Sequence, residues 1–246
     1  MLSWFAIRDG LYKLTIFNLK TAISAATLVL LFPMGFYYLK DRQPVVAATG
    51  TVGKAPGSNA RRSPPVGKRA LAEVSGLVPL KQPSAMSCWA TVYAMMKGWK
   101  DGRAWSAQEA VATLGEPYTS YFTKDTGLPG GHELVFVKQA GMKAEAPANY
   151  TLRGFADMLT RHGPLWIIVG DGISSHALIM TGLFGTSVDE SLAAYQESVF
   201  EFVDPRTGMF EYQAVLDFMA LFEREAGIVV GMGDPKLDLR WQVLHW

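Results

Sequence analysis

The chain has 246 residues, of which 49% are hydrophobic and 18% are charged, and its formal net charge is +1. This apolar composition excludes a largely disordered chain, and the balanced charge gives no sign of a nucleic-acid-binding domain. The single cysteine, Cys88, excludes an intrachain disulfide, a thiolate-cage zinc site and an iron–sulfur cluster. Its thiol is therefore either a small buried apolar group or a reactive nucleophile.

The first 71 residues are predicted to form a membrane anchor and a linker. Residues 21–39 carry no charge, and as a helix they span about 28 Å, close to the roughly 30 Å of a bilayer's hydrocarbon core. We predict a transmembrane helix at 21–39, a juxtamembrane segment at 1–20 and a Pro- and Gly-rich linker at 40–71. A cleaved signal peptide and a buried core helix are the alternatives for the span. The charges on its two sides nearly balance, which leaves the orientation of a single-pass membrane protein undetermined.

Residues 72–246 are predicted to form one α+β domain, with helices first and strands later. Apolar residues at steps of three and four predict a helix from Cys88 to about Lys100. Further helices are predicted at residues 106–115, 132–140, 151–163 and about 212–226, with Ser106 and Thr151 as caps. Strands are predicted at 164–169, 176–184 and 199–203, and an apolar segment, 228–230, follows the last helix.

Cys88 is predicted to lie where a loop meets a helix, because Pro83 disfavours a helix through the residues before it. A thiol at a helix start is near unpaired backbone N–H groups and the positive end of the helix dipole. Both stabilise the thiolate, which is the nucleophilic form. Burial as a small apolar side chain is the alternative for Cys88. A cysteine nucleophile also needs a base, and the base needs a partner that orients it.

His176 is the predicted base, because it begins a predicted strand after a Gly- and Ser-containing loop. Asp204 ends the next β-rich segment, where a carboxylate can accept the second imidazole N–H and fix the tautomer. Ordinary Asp-Pro turn chemistry is the alternative for Asp204. The other histidines, His132, His162 and His245, are predicted to be structural or solvated, because they lie at helix ends or near the end of the sequence.

These residues together resemble the papain-like cysteine peptidases, most closely the compact bacterial effector and toxin members. Gln82 lies six residues before Cys88, which is the family's spacing for its oxyanion-hole glutamine, and residues 88–90 (Cys-Trp-Ala) match its nucleophile motif. The segments 163–166, 176–182 and 203–205 resemble the second half of the compact members, and the resemblance covers about residues 76–225. Unlike plant papains, the chain has Asp at position 204 in place of Asn, and it lacks disulfides.

The resemblance implies a papain-like fold, with an N-terminal helical part that carries Cys88 and a C-terminal antiparallel sheet that carries His176 and Asp204. It implies that His176 activates Cys88, that Asp204 orients His176, and that Gln82 with the Cys88 backbone N–H stabilises the oxyanion. No cofactor and no metal are implied. The expected partners are a protein or peptide substrate and, through residues 21–39, a membrane. Whether a chaperone or an immunity protein binds the chain is unknown at this point.

Three classes of function remain open from the sequence. The first is a membrane-anchored peptidase, acting as a toxin or secreted effector. The second is related thiol acyl chemistry, as in a peptidoglycan amidase, a deamidase or a transglutaminase, because all of these proceed through the same thioester. The third is a non-catalytic binding module tethered to a membrane.

Overall fold

Helices dominate the first half of the described chain and strands the second half. The computed structural model describes residues 63–129, 133–145, 148–170, 175–231 and 242–246. The strands are β1 (Arg69–Glu73), β2 (Lys143–Ala144), β3 (Leu165–Gly170), β4 (Ser175–Gly185), β5 (Val199–Asp204), β6 (Met209–Ala214) and β7 (Val243–His245). The helices are α1 (Cys88–Asp101), α2 (Ala107–Ala112), α3 (Tyr118–Thr123), α4 (Glu133–Gln139), α5 (Leu152–His162), α6 (Leu192–Glu197) and α7 (Val215–Gly231).

The described strands form one antiparallel sheet in the order β2-β7-β3-β4-β5-β6, and β1 pairs with the second half of β4. The longest strand, β4, lies between β3 and β5. His176 at the start of β4 is opposite Val169, and Ile179 is opposite Val203 of β5. Because β4 and β5 are antiparallel, the start of β4 and the end of β5, at Asp204, lie at the same edge of the sheet.

Helices cover both faces of the sheet, because successive side chains of each strand point to opposite faces. On one face Trp166 and Ile179 pack with buried apolar residues of α1, α2 and α4. On the other face Ile167 and Met180 pack with those of α5 and α7. The sheet is therefore the middle of three layers. The α+β class predicted from the sequence is confirmed.

The helix that carries the cysteine is anchored by its apolar side. Residues 89–96 of α1 are all buried, and Trp89 contacts the ring of Phe136 edge-on at a centroid distance of 6.0 Å. The helix ends at Gly102, whose φ of 65° is a left-handed conformation that glycine adopts without strain. The caps predicted at Ser106 and Thr151 are confirmed, since each side chain accepts a hydrogen bond from the backbone N–H three residues later.

The secondary-structure prediction lacks α3, α6, β2 and β7, and three further parts of it are wrong. The helix expected from about residue 212 begins at Val215, and the residues before it form β6. Residues 228–230 belong to α7, and β1 begins at Arg69, inside the predicted linker. The reason is tertiary pairing: β6 and β1 are strands because β5 and β4 supply their hydrogen-bond partners, which local propensity does not encode.

The predicted transmembrane helix at 21–39, the juxtamembrane segment 1–20 and most of the linker 40–71 lie outside the described residues. Among the helices that the structure does describe, none combines the length and the apolar character needed to cross a bilayer.

Candidate active site

Cys88 is the first residue of α1, which is the position that the sequence predicts. Its thiol is partly exposed and lies within hydrogen-bonding reach of the His176 side chain and of the backbone N–H groups of Ala177 and Trp89. Backbone N–H groups in the first turn of a helix have no acceptor inside the helix. The N–H groups of Cys88 and Trp89 are therefore free to stabilise negative charge beside the sulfur.

His176 connects the cysteine to a carboxylate. Its Nε2 atom lies 2.8 Å from Oδ1 of Asp204, and the residue is buried with 8% of its surface exposed. Because Asp204 occupies Nε2, the ring nitrogen that remains for the Cys88 thiol is Nδ1. The same carboxylate oxygen accepts the backbone N–H of Arg206 at 2.7 Å, which fixes Asp204 within its turn. The structure thus brings Cys88, His176 and Asp204 together from α1, β4 and β5.

The pKa shifts of these three groups favour an ion pair between Cys88 and His176, with Asp204 ionised beside them. Burial raises the pKa of the Cys88 thiol, but hydrogen bonds from His176 and the Ala177 N–H outweigh it and hold that pKa below its ordinary value. Burial lowers the pKa of His176, but hydrogen bonds to Asp204 and Cys88 bring it above its ordinary value. Burial raises the pKa of Asp204, whereas hydrogen bonds from His176 and the Arg206 N–H lower it overall. All three shifts favour thiolate, imidazolium and carboxylate.

We expect alkylation of Cys88 by iodoacetamide to reach half its maximal rate at a pH below the roughly 8.5 of a free cysteine, because only the thiolate reacts. In His176→Ala the midpoint should move to higher pH, since burial then acts on the thiol without the opposing hydrogen bond and charge. Alkylation rates measured across pH, followed by mass mapping of Cys88, test this. A midpoint equal to that of the denatured protein would contradict it.

Gln82 lies on the loop before α1, and its side-chain amide faces the carbonyls of that loop. Its Nε2 donates to the backbone oxygens of Ser84 at 2.8 Å and Ala85 at 3.1 Å. Its Oε1 is buried and has no hydrogen-bond partner within the described part of the chain. The bond to Ala85 is the longer and more exposed of the two.

The loop that carries Gln82 is tied to the turn that follows Asp204. The Gln82 backbone N–H donates to the Pro205 oxygen at 2.7 Å. Gly208 in the same turn has a φ of +67°, and a Cβ there would lie 2.8 Å from the Lys81 nitrogen. Only glycine fits this close approach. The loop that carries Gln82 and the turn that follows Asp204 are thus joined by backbone contacts.

Asp125 supports the nucleophile loop, the residues 82–87 that precede Cys88, and no motif in the sequence indicates this contact. Its Oδ1 accepts the Met86 backbone N–H at 2.9 Å. Hydrogen bonds from Ser84 and from the N–H groups of Met86 and Ala85 also lower the pKa of its carboxyl. Asp125 has a φ of 49°, a left-handed conformation that costs a non-glycine residue energy and that recurs at functional sites. Asp125 and Met86 are 39 residues apart, so no local pattern indicates their contact.

The remaining histidines lie elsewhere. His132 is outside the described residues. The ring of His162 stacks on that of His245 with centroids 3.8 Å apart. Together with Glu145, these two form the only group of three His, Cys, Asp or Glu side chains in the described chain that is arranged to hold a metal ion, and none of the three belongs to the Cys88 site.

Comparison with protein-family models places the chain among known proteins. Residues 72–223 match the model of the Peptidase_C70 family, described as papain-like cysteine protease AvrRpt2. The match covers more than half of the chain, and it includes Gln82, Cys88, His176 and Asp204. A comparison with curated proteins found no match.

Proposed function

The chain belongs to the Peptidase_C70 family of papain-like cysteine proteases, and on that premise we propose that it cleaves peptide bonds with Cys88 as nucleophile, His176 as base and Asp204 as the residue that orients His176. The observation that carries this assignment is the position of His176 between a partly exposed thiol at a helix start and the Asp204 carboxylate, 2.8 Å from its Nε2. A cysteine that only fills space in the core needs neither an imidazole beside it nor a carboxylate behind that imidazole.

In the acylation step, Nδ1 of His176 takes the proton from the Cys88 sulfur, and the thiolate attacks the carbonyl carbon of the scissile peptide. The oxygen becomes an oxyanion, stabilised by the Cys88 backbone N–H and the Gln82 side chain. The C–N bond then breaks, and His176 returns its proton to the departing amine. A thioester between Cys88 and the acyl half of the substrate remains.

In the deacylation step, His176 accepts a proton from a water molecule as the water attacks the thioester carbonyl. The C–S bond breaks, the acyl half leaves as a carboxylic acid, and the sulfur regains its proton from His176. Asp204 keeps Nε2 protonated throughout, so that Nδ1 is the nitrogen that exchanges protons with substrate and sulfur.

We propose a protein of another cell as the substrate and a toxin or secreted effector as the biological role, on the basis of the resemblance to compact bacterial effector peptidases. The test incubates the full-length chain in detergent with a peptide library derived from a cell lysate. New peptide amino termini should appear with the unmodified protein and not with Cys88→Ala. Conversion of glutamine to glutamate without chain cleavage would instead identify a deamidase.

Asp125 is expected to act as a positioning residue for this reaction. Asp125→Ala removes the acceptor of the Met86 N–H and should loosen the loop between Gln82 and Cys88, lowering kcat about tenfold with little change in KM. Asp125→Asn should restore most of the rate, because asparagine tolerates a positive φ and retains an acceptor oxygen.

A matched control for Asp125 is Asp189→Ala. Asp189 also accepts a loop N–H, that of Ser191 at 2.9 Å, but it follows the end of β4 opposite to His176. Its loss should leave kcat unchanged. Equal kcat values for the unmodified protein and Asp125→Ala would contradict the positioning role, as would an Asp125→Asn variant as slow as Asp125→Ala.

We also propose that residues 21–39 anchor the chain as a single membrane-spanning helix, with residues 40–71 as a spacer to the catalytic domain. The support is the uncharged 19-residue segment, bounded by Lys20 on one side and by Lys40, Asp41 and Arg42 on the other. Tyr37 and Tyr38 lie near one end, where aromatic side chains favour the membrane interface.

Alkaline carbonate extraction tests the anchor. The full-length chain should stay in the membrane pellet, because burial of an apolar helix in hydrocarbon does not depend on surface charge. A variant with two lysines in the span, Leu28→Lys with Leu31→Lys, should move to the supernatant, since central charges oppose insertion. Release of the unmodified chain by carbonate would overturn the proposal.

A further inference from the structure

A second cluster of chemically competent side chains lies at the β2–β7 edge of the sheet. Glu145 follows β2, His162 is the last residue of α5, and His245 is the last residue of β7. One potential ligand atom from each lies within 4.8 Å of the other two. The two imidazole rings stack with centroids 3.8 Å apart and planes inclined by 20°. Neither the family match nor the proposed reaction gives this cluster a role.

The hydrogen bonds of His245 are compatible with those of a metal-binding histidine. Its Nδ1 lies 3.0 Å from the backbone oxygen of Trp246 and therefore carries the proton that it donates there. In the neutral ring the lone pair is then on Nε2, which faces Oε1 of Glu145 at 2.7 Å. Either a proton or a metal ion between these two atoms offsets the repulsion of their lone pairs. Donation from the distal nitrogen to a backbone oxygen is also how proteins fix the tautomer of a metal ligand.

We propose that Glu145, His162 and His245 bind a Zn²⁺ ion, with a water molecule as the fourth ligand. Two imidazole nitrogens and a carboxylate oxygen suit zinc, whose bonds to them are about 2.0–2.2 Å long. Tetrahedral bonds of that length set ligand atoms about 3.3 Å apart. The three ligand atoms lie within 4.8 Å of one another, and because the lone pairs of stacked rings lie in nearly parallel planes, the ring of His162 has to turn to reach a shared ion. The Glu145 side chain is 38% exposed, which leaves room for its rotation, and buried His245 provides the fixed point.

The ion would join β2, β7 and α5, of which β2 is the edge strand and β7 lies between β2 and β3. β2 has two residues and β7 has three, and they pair with each other at the edge of the sheet. A ligand from α5 adds the helix layer to this pair. The metal is therefore structural: it stabilises the edge against local opening and takes no part in the chemistry at Cys88. Its binding can be measured without reference to peptidase activity.

Binding is tested on the full-length chain in detergent with Cys88→Ala, because a thiolate beside His176 is itself a zinc ligand and would confuse the stoichiometry. Zn²⁺ is titrated in competition with a chromogenic chelator, and thermal unfolding is followed with and without the metal. We expect one Zn²⁺ per chain and a higher Tm in its presence, since a ligand that binds only the folded state stabilises it.

The test variants, added to Cys88→Ala, are Glu145→Gln, which keeps the shape of the side chain, and His162→Gln, at a partly exposed helix end. Each should weaken Zn²⁺ binding at least about tenfold and abolish the rise in Tm. The control is Asp157→Asn, also added to Cys88→Ala. Asp157 is an exposed residue of α5 whose carboxylate pairs with Arg161, and its replacement should leave the Zn²⁺ affinity equal to that of the Cys88→Ala protein. Absence of stoichiometric binding overturns the proposal and leaves the hydrogen bond between His245 and Glu145 as the whole interaction. Equal affinity in all variants also overturns it.

Discussion

His176→Ala is expected to lower peptidase activity as far as Cys88→Ala does, by at least about 10⁴-fold in kcat/KM. Without the imidazole the thiol keeps its burial and loses the partner that lowers its pKa, so little thiolate forms at neutral pH. The leaving amine also loses its proton donor. Because the two residues act as one unit, the double variant should be no slower than either single variant.

The measurement is turnover of a cleaved peptide by folded variants, with thermal unfolding as the check on folding. Asp204→Ala should retain more activity than His176→Ala, because the nucleophile and the base both remain and only the orientation of the ring is lost. His132→Ala serves as the histidine control and should keep full activity. Substantial turnover by His176→Ala would require a different base.

Gln82→Ala is expected to lower kcat about 10²–10³-fold with a small change in KM, the usual effect of losing one oxyanion donor. The amide interacts with the reacting oxygen only once negative charge develops there, so substrate binding is little affected. Gln82→Glu should be at least as slow, because a carboxylate donates no hydrogen bond and repels the oxyanion.

The Gln82 side chain also binds the carbonyls of Ser84 and Ala85, so its loss could act through the loop instead. Alkylation of Cys88 separates the two effects, because iodoacetamide reacts without forming an oxyanion. An unchanged alkylation profile with a slow kcat identifies a transition-state role. Gln139→Ala removes an amide that donates to the Leu114 oxygen away from the nucleophile loop, and should leave kcat unaltered. Unaltered kcat in Gln82→Ala would exclude the oxyanion role.

Local signals in the sequence were sufficient to place the three candidate catalytic residues on their elements. Pro83 and the apolar spacing of residues 89–96 set the start of α1, which put Cys88 at a helix N-terminus. The alternation and turn residues around β4 and β5 put His176 at the beginning of one strand and Asp204 at the end of the other. At these positions the deciding neighbours lie only a few residues away, so the single sequence was enough to place them.

Contacts between distant parts of the chain were decided only by the tertiary structure. Residues 212–214 have the local pattern of a helix start, but they form the end of β6 because they pair with β5. Asp125 supports Met86 across 39 residues, and Glu145 lies against His245 across 100. No sequence period links such pairs, because the sheet and the helices packed on it bring them together. The composition and spacing of the chain thus determined which chemistry was available, and the packing of the three layers decided which side chains meet.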